Sequence, residues 1–223
     1  VDRLERDTGS FRHFGWGGGD GSEKTVVRVL LGDDDDGLWL GTDGGGLRRF
    51  DRRSGRIEAF RHRPGDPASI SHDRINALCQ DAAGSLWIGT YGGGLNRLER
   101  GSGAFRRFRH DPADPGSLGD NIVRAILEDR EGTLWIATYG GGLDRFEPAT
   151  GTFRHYRHDP DDPASLNNDY VFCLHEDRNG ALWVGTLNGG LNRLDRKTGR
   201  FSHTTRAGGL ASDMIVGIAE DQS

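Results

Sequence analysis

The chain has 223 residues, a formal net charge of −5, 34% hydrophobic residues and 36 glycines. Its arginines are balanced locally by acids, as in LERD and FDRRSGRIEAF, which excludes the single-signed patch a nucleic-acid binder needs. No window approaches the ~18 consecutive apolar residues of a membrane span, and so much glycine without a collagen period predicts many tight turns and short strands.

In chain order, residues 1–14 (VDRLERDTGSFRHF) read as two strand-like pieces. A glycine-rich link, FGWGGGDGSEKTV, follows and contains Trp16. From there Trp39, Trp87, Trp135 and Trp183 recur every 48 residues, a fixed period that marks a repeat architecture. Each unit carries four strand-like pieces, a to d. In the second unit they are Ile75–Gln80 (INALCQ), Leu86–Thr90 (LWIGT), 95–99 (LNRLE) and 105–109 (FRRFR). The whole units fall at 27–60, 75–108, 123–156 and 171–203, and 213–223 begins a further one with DMIVGIAED.

The connections are short. An acidic turn ending in Gly132 or Gly180 joins a to b, and PATG or RKTG, with Gly151 or Gly199 at the position wanting positive φ, joins c to d. A glycine triplet joins b to c. In the fourth unit Asn188 replaces its first glycine, the substitution a left-handed backbone tolerates best. Short turns throughout predict an antiparallel meander. Strand a is mostly apolar, b nearly continuously so, c alternates and d is half arginine. The strands therefore run from a crowded interior outward to water. The predicted fold is all-β, a β-propeller of four-stranded antiparallel blades, with a parallel β-helix as the structural rival. Cys79 and Cys173 read as small core thiols.

EDREGTLWIATYGGGLDRF and HEDRNGALWVGTLNGGLNRL resemble the two-component regulator propeller repeat, as do the links FRHDPADPGSLGDNIV and YRHDPDDPASLNNDYV. The resemblance runs over essentially the whole chain. It implies the extracytoplasmic sensor part of an inner-membrane bacterial receptor. In that family seven-bladed propellers, often two in tandem, precede a membrane helix and a cytoplasmic output, usually a histidine kinase and sometimes a diguanylate cyclase. Several members are similar to oligosaccharide sensors. Four whole and two partial blades fall short of such a ring, so the sequence is expected to be an excerpt, closed by residues outside it.

Agreement among the repeats is explained by the frame, so function is sought where they disagree. The residue before the glycine run is Asp43, Tyr91, Tyr139 or Leu187. The second residue of strand a is Arg28, Asn76, Arg124, Phe172 or Val216, and Arg74 and Tyr170 directly precede strand a. The fourth residue of strand a, Leu30 in the first unit, is expected to be core. Its parity equals that of the variable position, so depth is expected to separate the two, with the variable side chains at the mouth of the central channel. Arginine, asparagine and tyrosine converging there suit a polar ligand, by stacking on sugar rings and hydrogen bonding to hydroxyls or carboxylates. Asn188 and Trp16, the latter as a stacking lid, complete the candidate set.

RHDPADP and RHDPDDP place His110, Asp111, Asp114, His158, Asp159 and Asp162 in tempting runs. Asp-Pro initiates turns, and these copies fall on different blades. GDDDDG at 32–37 lacks the alternating spacing and distal glutamate of a calcium loop. No metal and no cofactor is expected. The expected function is a non-catalytic sensor module for a small polar ligand such as an oligosaccharide. Its partners would be the remaining blades, the membrane-linked output domain and, as an open alternative, a second copy. The competing readings are a scaffold for dimerisation or docking, and a propeller lyase, which would need His or Glu at the channel mouth.

Overall fold

A computed structural model describes residues 2–5, 10–13, 25–33, 37–99 and 102–221. Trp16 and positions 34–36 of the acidic run lie outside them. A hairpin of β1 (Asp2–Glu5) and β2 (Ser10–His13) precedes four sheets of four antiparallel strands, each a meander. The first holds β3 (Val27–Gly32), β4 (Gly37–Thr42), β5 (Leu47–Asp51) and β6 (Ile57–Phe60). The second holds β7 (Ile75–Gln80), β8 (Leu86–Thr90), β9 (Leu95–Leu98) and β10 (Phe105–Phe108). The third holds β11 (Val123–Glu128), β12 (Leu134–Thr138), β13 (Leu143–Glu147) and β14 (Thr152–Tyr156). The fourth holds β15 (Val171–Glu176), β16 (Leu182–Thr186), β17 (Leu191–Asp195) and β18 (Arg200–Thr204). The inner strands β3, β7, β11 and β15 lie side by side while the outer strands diverge. These sheets are the blades of a β-propeller.

Burial follows that geometry. Every residue of β8 and of β12 is buried. The cores lie between blades: Trp87, Leu95 and Phe108 of the second pack against Leu134, Ile136, Phe146 and Phe153 of the third. Leu118, in the link, plugs the same cluster and is fully buried. Three of the indoles also have a polar anchor. The Nε1 of Trp87, Trp135 and Trp183 donates to Asp81, Asp129 and Asp177 at 2.7–2.8 Å. The other carboxylate oxygen of Asp129 accepts the Glu131 and Thr133 amides, so one side chain shapes the turn and fixes the ring.

The glycine runs clasp neighbouring blades. Gly92 and Gly94 both donate their amides to the Asn121 carbonyl, at 3.0 and 2.9 Å, and Gly140 and Gly142 do the same to Asp169. Buried Thr90 closes the turn from inside by donating to the Gly94 carbonyl. The Asp-Pro links act as turns: Asp111 and Asp114 accept the Ala113 and Gly116 amides, and the rings of His110 and His158 bond the Leu118 and Leu166 carbonyls.

Two expectations need correction. Residues 213–221 form no strand, and among the described residues no strand pairs with them as b. Ile215 still donates its amide to the Thr186 carbonyl and packs on Gly185, as Val123 packs on Gly89. Leu30 is not core. It is 56% exposed against 9% for Leu78, since no described sheet covers the far side of β3.

One buried pair is titratable. Asp144 on β13 is fully buried and accepts from the Gly119 amide at 2.7 Å and from His155 Nδ1 at 2.6 Å. That bond to Asp144 raises the His155 pKa above its ordinary 6.5. The folded state therefore holds the proton more tightly than the unfolded one, and the stabilisation is lost as pH rises above 6.5 through the raised value. At the equivalent of Asp144 the first blade has Arg48, and the second and fourth have Asn96 and Asn192. Asp144→Asn should flatten that decline in urea melts across neutral pH; an unaltered slope would assign it to another group.

Candidate functional site

The residue types that vary among repeats meet at one end of the sheets, where the inner strands begin and the glycine runs turn. What puts them there is a bulge. In every blade the pairing of the first two strands slips by one residue, between Val27 and Val29, Ile75 and Ala77, Val123 and Ala125, Val171 and Cys173. The residue skipped is Arg28, Asn76, Arg124 or Phe172. A bulge adds one residue on one strand only, and so re-aims that side chain and resets the alternation beyond it. Leu78 and Asn76 thus differ in environment despite equal parity. Depth alone does not separate them.

The residues preceding the glycine runs reach the same end by a second device. Asp43, Tyr91 and Tyr139 form single bridges with Arg74, Ile122 and Tyr170 of the next link. Each of the first three blades therefore lays the residue before its glycine run against the link that enters the next blade.

The side chains form two linked groups. In the first, both oxygens of Asp43 are used, Oδ2 by Arg28 at 2.7 Å and Oδ1 by Arg74 at 2.6 Å. Arg28 foremost, through its hydrogen bond, keeps the Asp43 carboxyl below the usual carboxylate range. The Arg74 guanidinium then lies 4.1 Å from the centre of the Tyr91 ring. In the second group, Arg124 lies 4.4 Å from the centre of the Phe172 ring. Phe172 meets Tyr139 edge-on at 5.8 Å, and Tyr139 meets Tyr170 edge-on at 4.8 Å. Burial lowers the Arg124 pKa, with the charge of Arg28 acting the same way and the phenols of Tyr139 and Tyr91 opposing.

The tyrosines remain open to solvent, with Tyr91 39%, Tyr139 36% and Tyr170 41% exposed. Exposed aromatic faces beside guanidinium groups can stack on a flat apolar surface while donating hydrogen bonds to its polar edge.

Asn76 has a different use: its Nδ2 donates to the Val123 carbonyl at 3.0 Å, tying the second blade to the third. Asn188 is exposed in the fourth b–c turn, without a described contact to the cluster. Trp16 lies outside the described residues. Among the described residues no three His, Cys, Asp or Glu side chains group to hold a metal. Cys79 and Cys173 are free and partly buried, and burial pushes the Cys173 thiol up to about 11.

An open concavity of about 780 Å³ lies elsewhere, along the outer strands of the fourth blade, and has several basic residues. Two of them are paired, Arg196 with Asp129 and Glu176 and Arg200 with Asp162. The end carrying Arg124 is the better candidate. Sequence comparison missed Asp129–Arg196 and Asp144–His155.

A family description, "Two component regulator propeller", matches residues 69–92, 117–140 and 165–188. Each match runs from the end of a link, through the bulge, to the turn after the second strand. No curated protein matches the chain in sequence. Among solved structures, the extracellular domain of a protein described as a hybrid two component system of B. thetaiotaomicron is similar with TM-score 0.70 and 27% identity, covering 81% of this chain and 24% of that one. The extracellular domain of a one component system of the same organism gives TM-score 0.56 at 19% identity, covering 99% and 42%. Virginiamycin B lyase from Staphylococcus aureus gives 0.62 at 16%, covering 82% and 56%. The last two likenesses concern the fold alone. This chain spans about a quarter of the first structure and two fifths of the second.

Proposed function

We propose that this chain, three segments of which match the description of a two-component regulator propeller, is the ligand-receiving part of a bacterial signal-transduction receptor, placed outside the cytoplasm. The observation that carries this reading is the exposed cluster of Arg124, Phe172, Tyr139 and Tyr170, built where the repeats differ and raised on bulges that all of them share. The extracellular placement of the similar B. thetaiotaomicron domain supports the location. No described helix is long and apolar enough to cross a membrane, so signalling would pass through other parts of the receptor. The ligand is a small polar molecule, with an oligosaccharide the class that stacking faces and guanidinium donors serve best.

A thermal-shift screen against oligosaccharides and dicarboxylates tests this, because a ligand of the native state raises its melting temperature. Arg124→Ala and Tyr139→Ala should each cancel the shift produced by a hit. A shift unchanged in both variants would place binding elsewhere.

A further inference from the structure

We infer that this end of the propeller receives a carboxylate, so that the ligand class is an acidic saccharide whose carboxylate docks on Arg124. The inference rests on the proposed reading and narrows it. Three arginines, Arg28, Arg74 and Arg124, stand in the cluster, and the carboxylate described as paired with them is that of Asp43. Asp43 is shared by the first two. Arg124 pairs with no carboxylate among the described residues, and its Nε is shielded from solvent with no hydrogen-bond acceptor. Its described contact is the face of Phe172.

Comparison of the blades shows what is missing. Arg28 and Asp43 occupy the bulge and the position before the glycine run in the first blade, and they pair at 2.7 Å. Arg124 and Tyr139 occupy the same two positions in the third blade. That blade keeps the cation and replaces its acid with a phenol. A partly buried guanidinium without a counter-charge is unfavourable until an anion supplies one. A carboxylate does so with two parallel hydrogen bonds matched to the guanidinium fork. Nearby Arg28 adds to the positive field at Arg124. The exposed rings of Tyr139 and Tyr170 beside it would take the apolar face of a pyranose, which a bare inorganic anion lacks.

The test is calorimetric titration of the full chain with a glycan panel in which each uronate-containing oligosaccharide is paired with its carboxyl-reduced counterpart. An acidic member should bind, and reducing its carboxyl should weaken binding about tenfold or more. Arg124→Gln should abolish the difference and Arg124→Lys retain part of it, while Asp43→Asn, which frees Arg28 and Arg74, should strengthen acid binding. The acid-against-reduced comparison needs no variant, so a misfolded Arg124→Gln does not blunt it. Equal binding of both members overturns the inference and leaves the broader reading standing. Binding of neither set across the panel overturns the acidic ligand, and failure of the thermal-shift screen as well removes the broader reading.

Discussion

Trp135→Ala is expected to lower the unfolding free energy by about 3–5 kcal/mol, the range for deleting a large buried aromatic. The ring is 3% exposed and belongs to a cluster that joins the third blade to Leu166, Val171, Leu182 and Phe201 of the fourth blade and its link. Removing it opens a cavity between blades, where neither sheet can close the gap without shifting the other. Trp135→Phe isolates the polar part. Most of the ring stays, but Asp129, itself 4% exposed, loses the indole donor at 2.7 Å. That loss should cost about 1–3 kcal/mol, moderated because Arg196 remains 3.1 Å from the same oxygen. Denaturant melts extrapolated to water measure both. A change below about 1 kcal/mol for the alanine variant would mean the blades are not joined through this residue.

The second large effect lies within a single glycine turn. Gly94 has φ of 80°, and a Cβ there would stand 2.3 Å from the Phe108 carbonyl oxygen, a backbone atom that cannot swing away. Gly92, two residues earlier, has φ of 104° but meets nothing within 4 Å. Gly94→Ala should therefore cost about 2–4 kcal/mol, through a left-handed backbone plus overpacking. Gly92→Asn should cost about 1 kcal/mol or less, as the natural Asn188 at the matching place in the fourth blade suggests. Equal costs would show that the run is only a flexible turn and not a clasp on the Asn121 carbonyl.

The frame was legible because each of its parts repeats. Trp87, Trp135 and Trp183 mark the second strand, Gly94 and Gly142 mark the turn, and polarity falling from first strand to last gives the order from inside to outside. The bulge at Arg124 was not legible. Its one-residue slip is a property of pairing between two strands, whereas the sequence shows only that positions 124 and 126 share parity. The exposure of Leu30 escaped for a related reason: pattern identifies an inner-strand residue, but burial depends on which sheet stands beyond it. The two acid-centred pairs were hidden differently. Asp144 and His155 lie on adjacent strands in register, and their equivalents change type from blade to blade. A search for constancy passes over them, since the matching His203 bonds an asparagine, Asn192, where His155 bonds an acid.

The central claim is that ligand sits against the side chains that differ among repeats, at the end of the blades where the bulges lie. The chain has four tyrosines, and three of them, Tyr91, Tyr139 and Tyr170, stand at that end. The fourth, Tyr156, packs between Trp135 and Phe201 in the inter-blade core and serves as an internal control. The most direct measurement is the ring resonances of ¹³C-tyrosine-labelled protein titrated with a binding oligosaccharide. Saturable shifts in Tyr139 and Tyr170, with Tyr156 unmoved, are the predicted result. Binding that leaves all three outer tyrosines in place, or that moves Tyr156 alone, contradicts the account.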